Sequence, residues 1–204
     1  MTTQILTSLK PTDGRVAWTL DDGTDPESIR RYALYAADSG VRLTIFPVGS
    51  YPGWTEHADL WRPLIESGQV QVGNHTWSHV ELTTLTDDEI AADLEKNEAW
   101  ILDLWGVGTK PYFRPPNGPH DDRTDSVAAS LGWTRMAMWS GLLVEGPGRT
   151  AEELVTSAAA EFVAGAIVIG HANFEAIQDA LPHVHAALLA NGVTPVTLRD
   201  VFGD

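Results

Sequence analysis

Short apolar runs alternate along the chain with longer stretches of helical spacing, the pattern of βα units around a parallel sheet. Arg15 to Thr19 reads as the first strand, and a helix follows, opened by Asp25 with Pro26 at its first position and closed by Gly40. Val41 to Phe46 is the second strand, apolar at Val41, Leu43, Ile45 and Phe46. A helix from about Thr55 to Ser67 ends at Gly68, with Pro63 expected to disturb its middle. Gln69 to Gly73 is a short strand.

The clearest helix is opened by the capping box Thr86-Asp87-Asp88-Glu89. Its apolar stripe is Ile90, Leu94, Ile101 and Leu104, with Trp100 and Trp105 close to it, and Gly106 and Gly108 end it. Tyr112 to Arg114 is a brief strand, Asp121 to Leu131 a helix closed by Gly132, and Trp133 to Trp139 a strand. A second capping box, Thr150 to Glu153, opens a helix to about Ala164. Ala166 to Gly170 is a fully apolar strand, Glu175 to Ala190 a helix with Pro182 inside it, and Val193 to Thr197 the last strand before a short helical end at 198–202. About seven strands with intervening helices predict an α/β fold.

Length and composition narrow the picture. The chain has 204 residues, which fits one domain over 1–204. No run of 18 apolar residues occurs, so no membrane span is expected. Met1 to Lys10 carries neither a charged n-region nor a long apolar core, so no export signal is expected there. The absence of cysteine excludes disulfides, thiolate nucleophiles and thiolate zinc sites. A net charge of −15 repels phosphate backbones and argues against a nucleic-acid partner. Eight Trp is a high count, and the indole face is a natural platform for sugar rings. The oligomeric state stays open, with a monomer the working expectation.

In parallel α/β folds, ligands gather at the carboxyl ends of the strands. Asp21-Asp22, His75, Arg114 and His171 all fall at such ends. Two adjacent carboxylates at the end of a buried strand need compensation, by a divalent metal or by a reaction that uses a base. Taken alone, Asp21-Asp22-Gly23 also fits a simple turn. His75 and His79 stand four residues apart, a spacing that puts both imidazoles on one face of a helical turn. Two His and one carboxylate with open positions suit Zn²⁺, Co²⁺ or Ni²⁺. After Arg114, Pro115 and Pro116 lack N–H groups, so the next backbone donor is that of Asn117, a rigid N–H of the kind an oxyanion hole uses. Arg114 suits the task of keeping one Asp ionised. His171, just past a buried strand, suits a general acid or base. His57, His120, His183 and His185 read as structural.

Together these motifs resemble the polysaccharide deacetylases of carbohydrate esterase family 4. Thr19-Leu20-Asp21-Asp22-Gly23 matches the family's Thr-Phe-Asp-Asp-Gly with Leu for Phe, and His75-Thr76-Trp77-Ser78-His79 matches its second motif in full. Arg114-Pro115-Pro116-Asn117-Gly118 matches the third with Asn for Tyr, and Ile169-Gly170-His171 matches Leu-x-His. The fourth motif departs: Trp139 is kept, the first Asp and final Trp are missing, and Glu145 stands where the second Asp would fall.

The resemblance implies a distorted (β/α) barrel with fewer than eight complete units. It implies a metal, Zn²⁺ above all, on Asp22, His75 and His79. It implies Asp21 as the base, which the residues alone do not distinguish from Asp22. Arg114 would position Asp21, the Asn117 N–H would stabilise the oxyanion, and His171, tuned by Glu145, would protonate the leaving amine. The implied activity is deacetylation of chitin-type or peptidoglycan glycans, with O-acetyl xylan open to the same mechanism. The alternatives are a catalytically impaired glycan-binding member and a metal-dependent amidohydrolase of a small molecule. The family implies an extracellular or cell-envelope location, and the missing export signal leaves the cytoplasm open.

Overall fold

The computed structural model describes residues 2–9 and 14–204. Its strands are β1 (Gln4–Leu6), β2 (Arg15–Asp22), β3 (Leu43–Pro47), β4 (Val70–Val72), β5 (Tyr112–Phe113), β6 (Arg135–Ala137), β7 (Gly141–Leu142), β8 (Ile167–His171) and β9 (Thr194–Val196). Its helices are α1 (Pro26–Ser39), α2 (Pro52–Glu56), α3 (Ala58–Glu66), α4 (Asp87–Trp105), α5 (Asp122–Ser130), α6 (Ala151–Glu161), α7 (Ala176–Ala190) and α8 (Leu198–Phe202). No helix among the described residues is long and apolar enough to cross a membrane.

Every strand pairing is parallel. One sheet runs β4-β3-β2-β8-β7 with β9 also on β2, and the other runs β1-β6-β5. Two isolated bridges join them, Asn74 to Phe113 between β4 and β5, and Ser8 to Ala166 just before β8. The path β2-β3-β4-β5-β6-β1-β8 therefore returns to β2, and the sheet closes as the distorted (β/α) barrel that the resemblance implied.

The longest strand shows how the layers divide. Side chains alternate across a strand. Val16, Trp18 and Leu20 of β2 pack outward with Ile29 and Tyr32 of α1, while Ala17 packs inward with Phe46 and Ile167. Thr19 and Asp21 share the inward face with Ala17, so the first carboxylate is aimed into the barrel by alternation alone. Helix α1 has Asp25 as N-cap, whose side chain accepts the Ser28 N–H, and a left-handed Gly40 at its end.

Several expected elements are corrected. Strands β1 and β7 were not expected, because each is too short to show a period. The expected 55–67 helix is two helices, broken at His57, whose ψ of 17° leaves the helical region. Pro63 stays inside α3, and Pro182 inside α7, each on a helix held by a buried face. The expected 133–139 strand shrinks to β6 because Trp133 belongs to the turn after α5: its N–H bonds the Ala128 carbonyl and its indole N–H bonds Thr109 Oγ1. His171 is the last residue of β8, not the first beyond it.

The closing strand generates a prediction. Leu6 is 3% exposed inside the barrel, whereas its neighbour Ile5 is 47% exposed. Leu6→Ala should destabilise by about 2–5 kcal/mol in urea unfolding. Ile5→Ala should stay within about 0.5 kcal/mol. Equal effects would show that β1 does not close the barrel.

Candidate active site

The site is built on the mouth where β2 and β8 end. Asp21 and His171 are paired across these strands in register. Arg114, at the end of β5, reaches across the interior with its guanidinium fully buried. Its Nη1 donates to Asp21 Oδ1 at 2.6 Å and to Thr19 Oγ1 at 2.8 Å. Its Nε and Nη2 donate to the carbonyls of Ala137 and Met138 at 2.5 and 3.1 Å, and its plane lies 4.4 Å over the Phe46 ring. Burial lowers the pKa of Arg114, and the Asp21 carboxylate opposes that shift.

Alternation would send Asp22 outward, the opposite way to Asp21. Asp22 instead has φ of 67°, a left-handed conformation that brings its carboxylate back to the mouth. The indole N–H of Trp54 and the Val48 N–H hold its carbonyl at 2.6 and 3.2 Å. Gly23 follows with φ of 104°, and a Cβ there would fall 2.2 Å from Trp54 Nε1, so the turn needs glycine.

His75 and His79 do not share a helical turn, as their spacing suggested. Residues 74–80 form a loop in which Thr76 and His79 have φ of 67° and 59°. Asn74 Oδ1 accepts the Thr76 N–H, Thr76 Oγ1 accepts the His79 N–H, and Asn97 from α4 donates to Asn74 Oδ1. The loop, not helical periodicity, brings the two Nε2 atoms to 3.2 and 3.0 Å from Asp22 Oδ1. His75 Nδ1 lies 2.8 Å from the Arg114 carbonyl, which only accepts, so Nδ1 carries a proton and Nε2 is the nitrogen turned to Asp22.

The donor set fits a divalent ion. The ligand atoms of Asp22, His75 and His79 lie within 4.8 Å of one another. Asp22 Oδ1 is buried without a hydrogen-bond partner. Two imidazole nitrogens beside an unsatisfied buried carboxylate oxygen are a ligand set that a divalent cation would complete, the imidazoles binding it as neutral ligands. Burial works against the Asp22 charge, but the imidazoles of His75 and His79 outweigh it and hold the carboxyl well below the usual range.

On the other side of Asp21, His171 Nδ1 lies 2.9 Å from Glu145 Oε2, which also accepts the His171 backbone N–H at 2.7 Å. Glu145 reaches this position from outside the barrel, past Gly170; a Cβ on Gly170 would lie 3.5 Å from Glu145 Oε1. Burial works against a charged His171, but Glu145 and the Asp21 and Asp22 carboxylates outweigh it and raise its pKa to about 9. Burial pushes the Glu145 carboxyl up, against the pull of His171. Asn117 has φ of 61° in a turn closed by the Gly118 N–H on the Pro115 carbonyl, which leaves the Asn117 N–H outside the turn's own bond. A cavity of about 150 Å³ holds Asp21, Asp22, His75, His79, Asn117 and His171, and Trp139, Leu142 and Ile169 give it an apolar wall.

The structure thus brings every sequence-derived candidate to one mouth, with Arg114 and Glu145 behind the cavity wall. The other histidines lie apart: His120 pairs with Asp125, His185 bonds Tyr35, His57 separates α2 from α3, and His183 is exposed. Two contributors escaped the sequence reading. Thr19 relays Arg114 to the Val168 carbonyl. Asn173 donates to Asp22 Oδ2 at 2.8 Å. Thr19 is the first residue of its motif but carries no role in the sequence reading, and Asn173 stands two residues past His171, outside any motif.

Comparison with known proteins gives the same direction. A family model described as polysaccharide deacetylase matches residues 8–136. Chitin deacetylase 1 of Cryptococcus neoformans is 32% identical over 194 residues, covering 84% of this chain and 40% of that protein. A peptidoglycan-N-acetylglucosamine deacetylase of Bacillus cereus is 26% identical, covering 92% of this chain and 68% of its own length. This chain therefore spans well under half of the Cryptococcus protein. The solved chitin deacetylase of Colletotrichum lindemuthianum superposes with a TM-score of 0.86 at 20% identity, over 100% of this chain and 93% of that one.

The buried Arg114–Asp21 pair makes a stability prediction. Arg114→Met leaves the Asp21 charge unpaired and should cost about 3–5 kcal/mol in urea unfolding at neutral pH. Adding Asp21→Asn should recover part of that loss, because it removes the orphaned charge. A double variant no more stable than Arg114→Met would place the cost elsewhere.

Proposed function

The chain belongs to the polysaccharide deacetylase family, and we propose that it is a metal-dependent hydrolase removing acetyl groups from glycans that contain N-acetylglucosamine. One observation carries this reading. Asp21 and His171, neighbours across the β2–β8 pairing, flank the Asp22-His75-His79 cluster inside one small cavity. Amide hydrolysis needs that combination: a base for water, an acid for the leaving nitrogen, and stabilisation of the carbonyl oxygen between them.

A divalent ion held by Asp22, His75 and His79 would polarise the acetyl carbonyl and acidify the attacking water. Zn²⁺ is proposed first, with Co²⁺ and Ni²⁺ compatible with the same ligands. Asp21 takes the proton from the water. Arg114 keeps Asp21 oriented, one oxygen engaged and the other turned towards the cluster, 3.5 Å from His75 Nε2. The Asn117 N–H faces the developing oxyanion. His171, its Nδ1 engaged by Glu145, delivers a proton from Nε2 to the departing nitrogen as the C–N bond breaks. Acetic acid and the amine leave, becoming acetate and ammonium as the acid's proton passes to the amine, and the proton taken up by Asp21 returns through solvent to His171.

The relatives support an N-acetylglucosamine substrate, since the Cryptococcus protein is named for chitin and the Bacillus cereus protein for peptidoglycan. The net charge of −15 favours a neutral glycan over a polyanion. In this reading residues 1–204 act as one catalytic domain, and the polymer substrates imply action outside the cytoplasm or in the cell envelope.

The direct test is acetate release from chitooligosaccharides. Release should stop on adding a chelator and return with Zn²⁺ or Co²⁺. No release under any metal loading, with glycan binding retained, would establish a binding protein instead. The pH profile tests the acid. His171 must be protonated, so kcat/KM should fall as pH rises through an alkaline limb no higher than about 9. Glu145→Gln removes the strongest influence raising that pKa and should move the limb down. An unmoved limb would remove Glu145 from the mechanism.

A further inference from the structure

Asp22 faces two demands that conflict locally. Its backbone must stay in a left-handed conformation, which costs an Asp about 1–2 kcal/mol. Its carboxylate must present one oxygen to the imidazoles while the other is satisfied elsewhere. One side chain meets both demands. Asn173 Oδ1 accepts the N–H of Gly23 at 3.1 Å and of Thr24 at 2.9 Å, the two peptide groups that follow Asp22. Its Nδ2 donates to Asp22 Oδ2 at 2.8 Å. The amide orientation is fixed by its partners: the end facing two N–H groups must be the oxygen, so the end facing the carboxylate is the donor.

The two oxygens of Asp22 are therefore inequivalent. Oδ2 has a hydrogen bond, and Oδ1 is buried without one, 3.2 and 3.0 Å from the His75 and His79 nitrogens. The turn has no freedom to drift. Trp54 blocks it on one side, where even a Cβ at Gly23 would not fit. Asn173 blocks it on the other, on a segment tied back to β2 by the Ala172 N–H on the Asp21 carbonyl and the Asp25 N–H on the Ala172 carbonyl.

We propose that Asn173 is a positioning residue for the metal centre: it holds Asp22 so that Oδ1 alone is offered to the ion. The inference rests on the metal-dependent reading above. A carboxylate fixed as a one-oxygen ligand leaves more of the ion's coordination sphere to water and substrate than one that closes on it with both oxygens. No other residue type does both jobs at this length. Serine is too short, glutamine is one methylene longer, and aspartate keeps the acceptor but loses the donor.

The test uses Co²⁺ as the probe with the whole chain, reading affinity by chelator competition and geometry by visible d–d absorption. Asn173→Ala should weaken Co²⁺ binding about 10–100-fold, the range for loss of a residue that orients a ligand. Asn173→Asp keeps an acceptor for Gly23 and Thr24, removes the donor and sets a second carboxylate against Asp22 Oδ2. Its Co²⁺ spectrum should depart from that of the unaltered chain, because Asp22 Oδ2 loses its donor and is pushed off the position that contact held. Far-UV circular dichroism checks folding, and if Asn173→Ala does not fold, Asn173→Asp decides alone. An Asn173→Ala variant that binds within twofold, or an Asn173→Asp variant with an unchanged spectrum, overturns the role of Asn173. An unaltered chain that binds no Co²⁺ overturns the metal reading first, and this inference with it.

Discussion

A guanidinium with no exposure to solvent sets the terms for the rest of the barrel mouth. Taking Arg114 out of water is costly, and the cost is offset only if its donors and its charge are matched. The structure matches them with Asp21, Thr19 and two carbonyls of the β6 exit, above the Phe46 ring. Those partners come from β2, β3 and the chain leaving β6, so a single side chain fixes how three walls of the barrel meet. Asp21 follows from this constraint. Its inward direction comes from strand alternation, and Arg114 determines which oxygen is engaged. The Arg114 carbonyl then sets the tautomer of His75. One residue thereby orients a candidate base through its side chain and a candidate ligand through its backbone.

The rest of the site depends on departures from regular backbone. Asp22, Thr76, His79 and Asn117 are the four non-glycine residues with positive φ among those described, and all lie in or beside the cavity. Regular strands bring these segments to one edge and then aim alternate residues apart. The left-handed residues turn the side chains back together. Such conformations persist where surrounding structure enforces them. Here that structure is specific: Trp54 and Asn173 around Asp22, Asn74 and Asn97 around the His75 loop, and the Pro115–Gly118 turn around Asn117.

This division explains what was legible in the sequence. The apolar runs of β2, β3 and β8 announced strands, and the polar residues at their ends announced a common edge. The capping boxes at Thr86 and Thr150 marked real helix starts. The short motifs identified the residues. What the sequence hid was geometry held by side chains far away in the chain. The His75–His79 spacing suggested a helix, but the loop is shaped by Asn97, whose contribution is invisible in a local pattern. Strand β1 hid because three residues carry no period, although its Leu6 fills the barrel floor. Glu145 was visible as a replacement, yet only the folded chain shows its carboxylate on both the ring and the backbone N–H of His171. Asn173 belongs to no motif, and only the folded turn shows why it contacts Asp22.

The proposed function requires Asp22, His75 and His79 to form one divalent metal centre beside a separate base, Asp21. Anomalous diffraction from crystals grown with Co²⁺ or Zn²⁺ tests it most directly. One strong anomalous peak is expected within bonding distance of Asp22 Oδ1, His75 Nε2 and His79 Nε2, with Asp22 Oδ2 still on Asn173 and Asp21 still on Arg114. A mouth without a peak, or an ion held by Asp21 in place of Asp22, would contradict it.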